Sequence, residues 1–151
     1  DAAIDVWQSD EEGRYDVQVE DLGVHRARGR LRSGPDGRFH FRSILAEAYP
    51  IPHDGPVGKM LEALGRHPWR PAHLHFMLRA PGYKTLVTHV FRSGDRYLDS
   101  DAVFGVRSSL IADWREVSGT APDGNKAGAP FYTLDFEFVL HRERATAVST
   151  A

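Results

Sequence analysis

The sequence predicts an all-β domain, an antiparallel β-sandwich with one or two short helices and long ordered loops. Three observations lead there. Short segments alternate apolar and polar residues with a period of two, turn residues recur between them at short intervals, and helical periodicity is confined to two brief stretches. At 151 residues the chain fits one domain, whose single core can bury roughly two-thirds of the unfolded surface without help from disulfides.

The chain opens on Ala3-Ile4-Asp5-Val6-Trp7-Gln8, whose alternation and β-rich content predict a strand. Asp10-Glu11-Glu12-Gly13-Arg14 is polar turn material and leads into Tyr15-Asp16-Val17-Gln18-Val19. Arg26, Arg28, Arg30 and Arg32 then alternate with Ala27, Gly29 and Leu31, so the guanidinium groups share one strand face. We read that face as the solvated outside of an antiparallel sheet. Ser33-Gly34-Pro35-Asp36-Gly37 carries turn chemistry and predicts a hairpin with Phe39-His40-Phe41-Arg42-Ser43-Ile44.

Tyr49-Pro50-Ile51-Pro52-His53-Asp54-Gly55-Pro56 holds too many prolines for a central strand or a helix and reads as ordered loop. An amphipathic helix follows near residues 57–64, with Leu61 and Leu64 on its buried side and Gly65 ending it. Strands are expected at residues 72–78 and 85–91, joined across Ala80-Pro81-Gly82-Tyr83, and a second short helix around residues 106–114. The last long strand, residues 131–141, sets Tyr132, Leu134, Phe136, Phe138 and Leu140 on one face. Thr133, Asp135, Glu137, Val139 and His141 take the other, so this strand should be half-buried. Residues 142–151 are small, polar and terminal, a tail expected to fray.

Composition narrows the function classes. At 41% hydrophobic and 26% charged, the chain is neither disordered nor fibrous. Its net charge of −2 lacks the basic surplus that drives phosphate neutralisation, so no nucleic-acid partner is expected. No apolar run approaches the ~20 residues needed to cross a bilayer. Asp1-Ala2-Ala3-Ile4-Asp5 has no basic and apolar leader pattern, so no membrane insertion and a cytoplasmic location are expected. The absence of cysteine excludes disulfides, thiolate zinc sites, iron–sulfur clusters and thiol catalysis.

The densest chemistry lies in Arg70-Pro71-Ala72-His73-Leu74-His75-Phe76. On a strand, His73 and His75 point to one face while Leu74, Phe76 and Leu78 pack against the other, which is how an extended segment chelates a metal. Taken alone, such a pair is as often structural as metal-binding. A ferrous site of two histidines and a carboxylate is disfavoured locally, because residues 76–84 contain no acid and the nearest one downstream is Asp95. Tyrosine is the other source of an anionic ligand. Tyr15 follows a glycine turn and Tyr49 precedes Pro50-Ile51-Pro52, both where strand runs into loop. A phenol of intrinsic pKa near ~10 stays ionised at neutral pH only beside a strong Lewis acid, and ferric iron is the candidate.

Four blocks taken together resemble the catalytic domain of intradiol ring-cleavage dioxygenases: Ile4-Asp5-Val6-Trp7-Gln8, Glu12-Gly13-Arg14-Tyr15-Asp16, Tyr49-Pro50-Ile51-Pro52 with Gly55-Pro56, and Arg70-Pro71-Ala72-His73-Leu74-His75-Phe76. Order and spacing both match. Trp69-Arg70-Pro71, Thr88-His89-Val90-Phe91 and the run from Tyr97 to Val106 look most like hydroxyquinol 1,2-dioxygenases. The resemblance implies a non-haem Fe(III) held by Tyr15, Tyr49, His73 and His75. It implies cleavage of a small aromatic diol or triol between adjacent hydroxyls, both atoms of O2 entering a cis,cis-muconate. Arg70 would stabilise charge on the substrate, Tyr49 would also act as a base, and His89 stands where many relatives have glutamine beside the O2 pocket. Pro50 and Ile51, with Arg70, would line the ring pocket.

The expected substrate is hydroxyquinol, giving a 3-hydroxy-cis,cis-muconate or its maleylacetate form, with catechol or chlorocatechol as the near alternative. A non-catalytic β-sandwich binding module with structural histidines is the alternative from another class. His25, His40, His53, His67 and His141 match no ligand position and read as structural or solvent-facing. Residues 1–141 are read as the catalytic domain and 142–151 as the tail. The N-terminal helical domain of the family, through which its homodimer forms, lies outside this sequence.

Overall fold

The computed structural model describes residues 1–19, 25–121 and 124–143. In chain order its elements are β1 (Ala3–Trp7), β2 (Arg28–Arg32), β3 (Tyr49–Pro50), α1 (Pro56–Ala63), β4 (Trp69–Arg70), β5 (His73–Arg79), β6 (Leu86–Arg92), β7 (Ile111–Ala112), β8 (Arg115–Val117) and β9 (Phe131–Thr133). Single 3-10 turns stand at Asp16–Gln18 and Ser108–Leu110. The fold is therefore sheet-rich with one short α-helix among the described residues. Among the described residues no helix is long and apolar enough to cross a membrane.

The framework is a five-stranded sheet in the order β2-β1-β5-β6-β7. Neighbours are antiparallel except β6 and β7, which run parallel. Period-two alternation decides what each face carries. Ile4 lies opposite Leu78 and Val6 opposite Phe76, and these four join Leu74 and Val90 in the buried core. Removing such a side chain from water contributes roughly 1.5–3 kcal/mol each. The other face carries Trp7, His75 and His89 in adjacent register, with His73 opposite Phe91. Over the core lie Phe39, Phe41, Trp114, Leu134, Phe136, Phe138 and Leu140, all partly buried.

Strands β1, β5 and β6 fall within a residue or two of their predicted bounds. The arginine stripe lies outward as read: Arg28, Arg30 and Arg32 are exposed and ion-paired to Asp16, Asp5 and Asp1. Helix α1 ends in a Schellman motif, where Gly65 N–H donates to the Glu62 carbonyl at 2.9 Å and Arg66 N–H to that of Leu61 at 2.8 Å. Leu61 is buried but Leu64 is 63% exposed, against expectation. Leu64 is the C-cap, its N–H still bonded to the Met60 carbonyl, but the chain turns away at Gly65, whose φ is 63°, and leaves the Leu64 side chain uncovered.

Three further expectations need correction. The turn at 33–37 forms, closed by Gly34 N–H to the Arg38 carbonyl at 2.8 Å, but residues 39–44 form no strand. That segment contributes Phe39 and Phe41, whose rings meet Phe76 edge-on at 6.4 and 6.2 Å, instead of a ladder to β2. The second helix is absent. Only one 3-10 turn forms before Ile111 and Ala112 pair with Phe91 and Arg92, because the open sheet edge outcompetes weak helical periodicity. The long last strand shrinks to β9, paired with β8. Beyond it Leu134, Phe136, Phe138 and Leu140 still alternate inward and outward with exposed Asp135, Glu137, Val139 and His141. The side-chain period survives there without a ladder, and Tyr132 is exposed rather than grouped with the inward residues.

Of the predicted tail, Arg142 and Glu143 are tied down rather than frayed, through a bridge to Tyr83 and a 2.9 Å hydrogen bond from Glu143 N–H to the Gly82 carbonyl. The rest of it lies outside the described residues.

Candidate metal centre

Four side chains from three separate segments meet on the histidine-bearing face. The Tyr15 and Tyr49 hydroxyls share a hydrogen bond of 2.8 Å, and Tyr15 Oη lies 2.8 Å from His75 Nε2. His73 Nε2 is 3.1 Å from His75 Nε2. All four residues predicted as ligands are thus brought together.

Each segment delivers its side chain for a local reason. Tyr15 is the N-cap of the Asp16–Gln18 turn, fixed by its own N–H donating to Gln18 Oε1 at 2.8 Å. The turn is moored by Asp16, whose carboxylate accepts from Arg28 Nε and Nη2 at 2.9 and 2.8 Å. Two residues upstream, Gly13 has φ 79°, and a Cβ there would stand 2.6 Å from Tyr49 Cβ. Only glycine allows that approach, so the loop of Tyr15 is packed directly on Tyr49. Tyr49 in turn faces Arg70 across the short β3–β4 ladder. His73 and His75 project two residues apart from β5, which is held between β1 and β6.

Proton positions on His73 follow from its neighbours. Its Nδ1–H donates to the Pro71 carbonyl at 2.6 Å, since a carbonyl can only accept, so Nε2 turns a lone pair toward the cluster. Arg70 Nη1–H donates to that nitrogen at 3.2 Å. Burial first, and then the charge of Arg70, push His73 down to about 3. Burial and the neighbouring His73 push His75 down to about 2, so both rings are neutral at physiological pH. The His75 ring lies flat on Trp7, centroids 5.0 Å apart and planes 6° off parallel.

The donor set fits a trivalent ion. Burial, followed by the charge and hydrogen bond of Tyr49, pushes the Tyr15 hydroxyl well above the usual phenol range, so it stays protonated unless a strong Lewis acid takes its oxygen. Two hard phenol oxygens and two neutral imidazole nitrogens packed within hydrogen-bond distance of one another match ferric iron better than a soft or weakly charged metal.

Arg70 is 6% exposed and sits beside this cluster. Its Nε and Nη2 donate to Asp101 Oδ1 and Oδ2 at 3.1 and 3.3 Å. Burial alone would lower its pKa, but the hydrogen bonds and charge of Asp101, with Tyr49, outweigh that and raise it. His89 faces the same cluster, its ring centroid 4.5 Å from His75 and 5.2 Å from His73. Burial and Arg70 lower its pKa as well. Pro50 pairs with Trp69 beside Tyr49, and Ile51 N–H donates to the Pro68 carbonyl at 2.9 Å. Both directly follow Tyr49 in the chain.

Sequence reasoning assigned no role to Asp101, Trp7 or the Pro71 carbonyl. Asp101 was visible as an acid two and four residues before Val103 and Gly105, whose N–H groups it accepts at 3.3 and 2.8 Å. The five histidines set aside stand clear of the cluster. His67 Nε2–H donates to Ser100 Oγ at 2.9 Å while its Nδ1 accepts from Trp69 N–H at 3.1 Å, and His25, His40, His53 and His141 are exposed.

Comparison with known proteins shows the family. The dioxygenase family profile matches residues 1–142. The chain belongs to the dioxygenase family, as a catalytic domain of its intradiol ring-cleaving class. It is 64% identical over 141 residues to 6-chlorohydroxyquinol 1,2-dioxygenase of Cupriavidus pinatubonensis, covering 93% of this chain and 47% of that one. It is 51% identical over 142 residues to hydroxyquinol 1,2-dioxygenase of Nocardioides simplex, covering 93% and 48%. The crystal structure of hydroxyquinol 1,2-dioxygenase from Pseudomonas putida DLL-E4 superimposes with a TM-score of 0.86 at 48% identity, over 94% of this chain and 50% of that one. The chain thus spans about half the length of these relatives.

Proposed function

We propose that this chain is the catalytic domain of a non-haem Fe(III) dioxygenase that opens hydroxyquinol between its adjacent hydroxyls, giving 3-hydroxy-cis,cis-muconate or maleylacetate. The observation that carries the reading is the meeting of Tyr15, Tyr49, His73 and His75 at contacts of 2.8–3.1 Å. These four would hold the ion. Bound there, it would supply the Lewis acidity that draws charge from a catecholate and makes a ring carbon reactive toward O2.

The chain's own groups do the rest. The Tyr49 oxygen accepts a proton from a substrate hydroxyl. Arg70, fixed by Asp101 in a buried setting, presents its remaining N–H groups to the negative charge that builds on the substrate oxygens, and low dielectric strengthens that interaction. His89 offers a hydrogen-bonding ring on the O2 side, and Pro50 and Ile51 wall the aromatic ring. We read the aromatic-covered sheet as a β-sandwich, residues 1–141 as the catalytic unit and 142–151 as its tail. A cytoplasmic location belongs to the same reading, checked by cell fractionation, and sedimentation velocity determines whether this chain pairs without the family's N-terminal helical domain.

Oxygen uptake with benzene-1,2,4-triol and with catechol tests the substrate. Faster turnover of the triol is expected, and a strong preference for catechol overturns the choice in favour of a catechol or chlorocatechol 1,2-dioxygenase. A colourless protein without iron by elemental analysis overturns the enzyme reading altogether and returns the fold to a binding module.

A further inference from the structure

The ferric reading uses two of the three histidines on this face. One ring nitrogen each from His73, His75 and His89 lie within 4.8 Å of one another, and Nε2 of His73 and of His75 are 3.1 Å apart. Three imidazoles on a tetrahedral divalent ion, with metal–nitrogen bonds of about 2.0–2.1 Å, place their nitrogens roughly 3.3 Å apart. The pair on β5 already has that spacing, and the third nitrogen, on His89, lies no more than 4.8 Å from either. His89 is half-buried on β6, directly opposite His75 in the ladder, and among the described residues its contacts are ring contacts to His73, His75 and Phe91 rather than hydrogen bonds.

We propose that His73, His75 and His89 form a second, all-nitrogen coordination set for a divalent borderline cation such as Zn(II) or Co(II), used when iron is absent. The site then sorts metals by the ligands they recruit. A trivalent hard ion takes the two phenol oxygens with His73 and His75, whereas a divalent ion too weak an acid to strip the phenols turns to the third imidazole, leaving a fourth position for water. Because His73 and His75 serve both sets, the two ions exclude each other, and divalent loading is an inactive form of the domain. The inference stands on the histidine geometry and goes beyond the ferric reading.

Cobalt(II) titration of the metal-free protein is the test, followed by visible absorption and calorimetry. One Co(II) per chain with a tetrahedral-type spectrum is expected, and prior loading blocks ferric uptake. His89→Gln weakens Co(II) binding at least about tenfold while still developing tyrosinate colour with Fe(III), which also shows that the variant folds. The double variant Tyr15→Phe, Tyr49→Phe loses that colour yet keeps Co(II) affinity within about threefold. Unchanged Co(II) affinity in His89→Gln, or its loss together with the tyrosines, overturns the proposal.

Discussion

Arg70 and Asp101 form a two-pronged ion pair with almost no solvent contact, at 3.1 and 3.3 Å, with side chains 7% and 2% exposed. The same guanidinium reaches His73 Nε2, and the same carboxylate caps the turn bearing Phe104, whose φ is 57°. One buried pair therefore ties the segment after β6 to the donor cluster. Asp101→Asn leaves a buried cation without its counter-charge. We expect a loss of about 3 kcal/mol or more in urea unfolding, together with reduced kcat. Stability and turnover both within error of wild type contradict this positioning role.

Gly13→Ala tests the packing of one tyrosine on the other. The added methyl meets Tyr49 Cβ at 2.6 Å and imposes a left-handed backbone on alanine, a strain of about 1–3 kcal/mol. The expected outcome is a lower melting temperature and weaker ferric–tyrosinate absorption, because both phenols are displaced. A variant with full colour shows that the two segments are not coupled.

Tyr49→Phe tests the proposed ligand and base roles together. Its colour should shift or bleach and its turnover fall by at least about 10²-fold. His53→Ala, an exposed side chain whose ring bonds the Ile51 carbonyl at 3.0 Å, leaves both nearly unchanged. Comparable small effects of the two substitutions speak against the ligand assignment.

The mooring of the Tyr15 turn carries a pH signature. The hydrogen bonds of Arg28 hold Asp16 below the usual carboxylate range. A carboxyl lowered on folding adds stability above its unfolded value of about 3.9, and that contribution disappears as pH falls through the folded value. Arg28→Ala is expected to cost about 1 kcal/mol at pH 7 and nearly nothing once Asp16 is protonated in both proteins. Chemical denaturation at pH 7 and near pH 2 measures it. A cost that stays constant across this range assigns the effect to packing alone.

What the sequence determined by itself is local. Alternation alone put His73 and His75 on one face and Leu74, Phe76 and Leu78 on the other, because successive strand side chains point to opposite sides whatever lies beyond. It also placed α1 and its glycine stop, and it marked both tyrosines at the mouths of turns. Tertiary structure decided the partners. That Tyr15 meets Tyr49 and His75, that Asp101 holds Arg70, and that His89 joins the other rings depends on contacts between positions 14 to 60 residues apart, and no periodicity encodes those. The misjudged elements have the same cause. Residues 39–44 and 134–141 have strand-like side chains without ladder partners, and Ile111 and Ala112 found an open sheet edge where their own pattern suggested a helix. Backbone hydrogen bonds need a second chain segment at the right distance, and only the folded molecule supplies it.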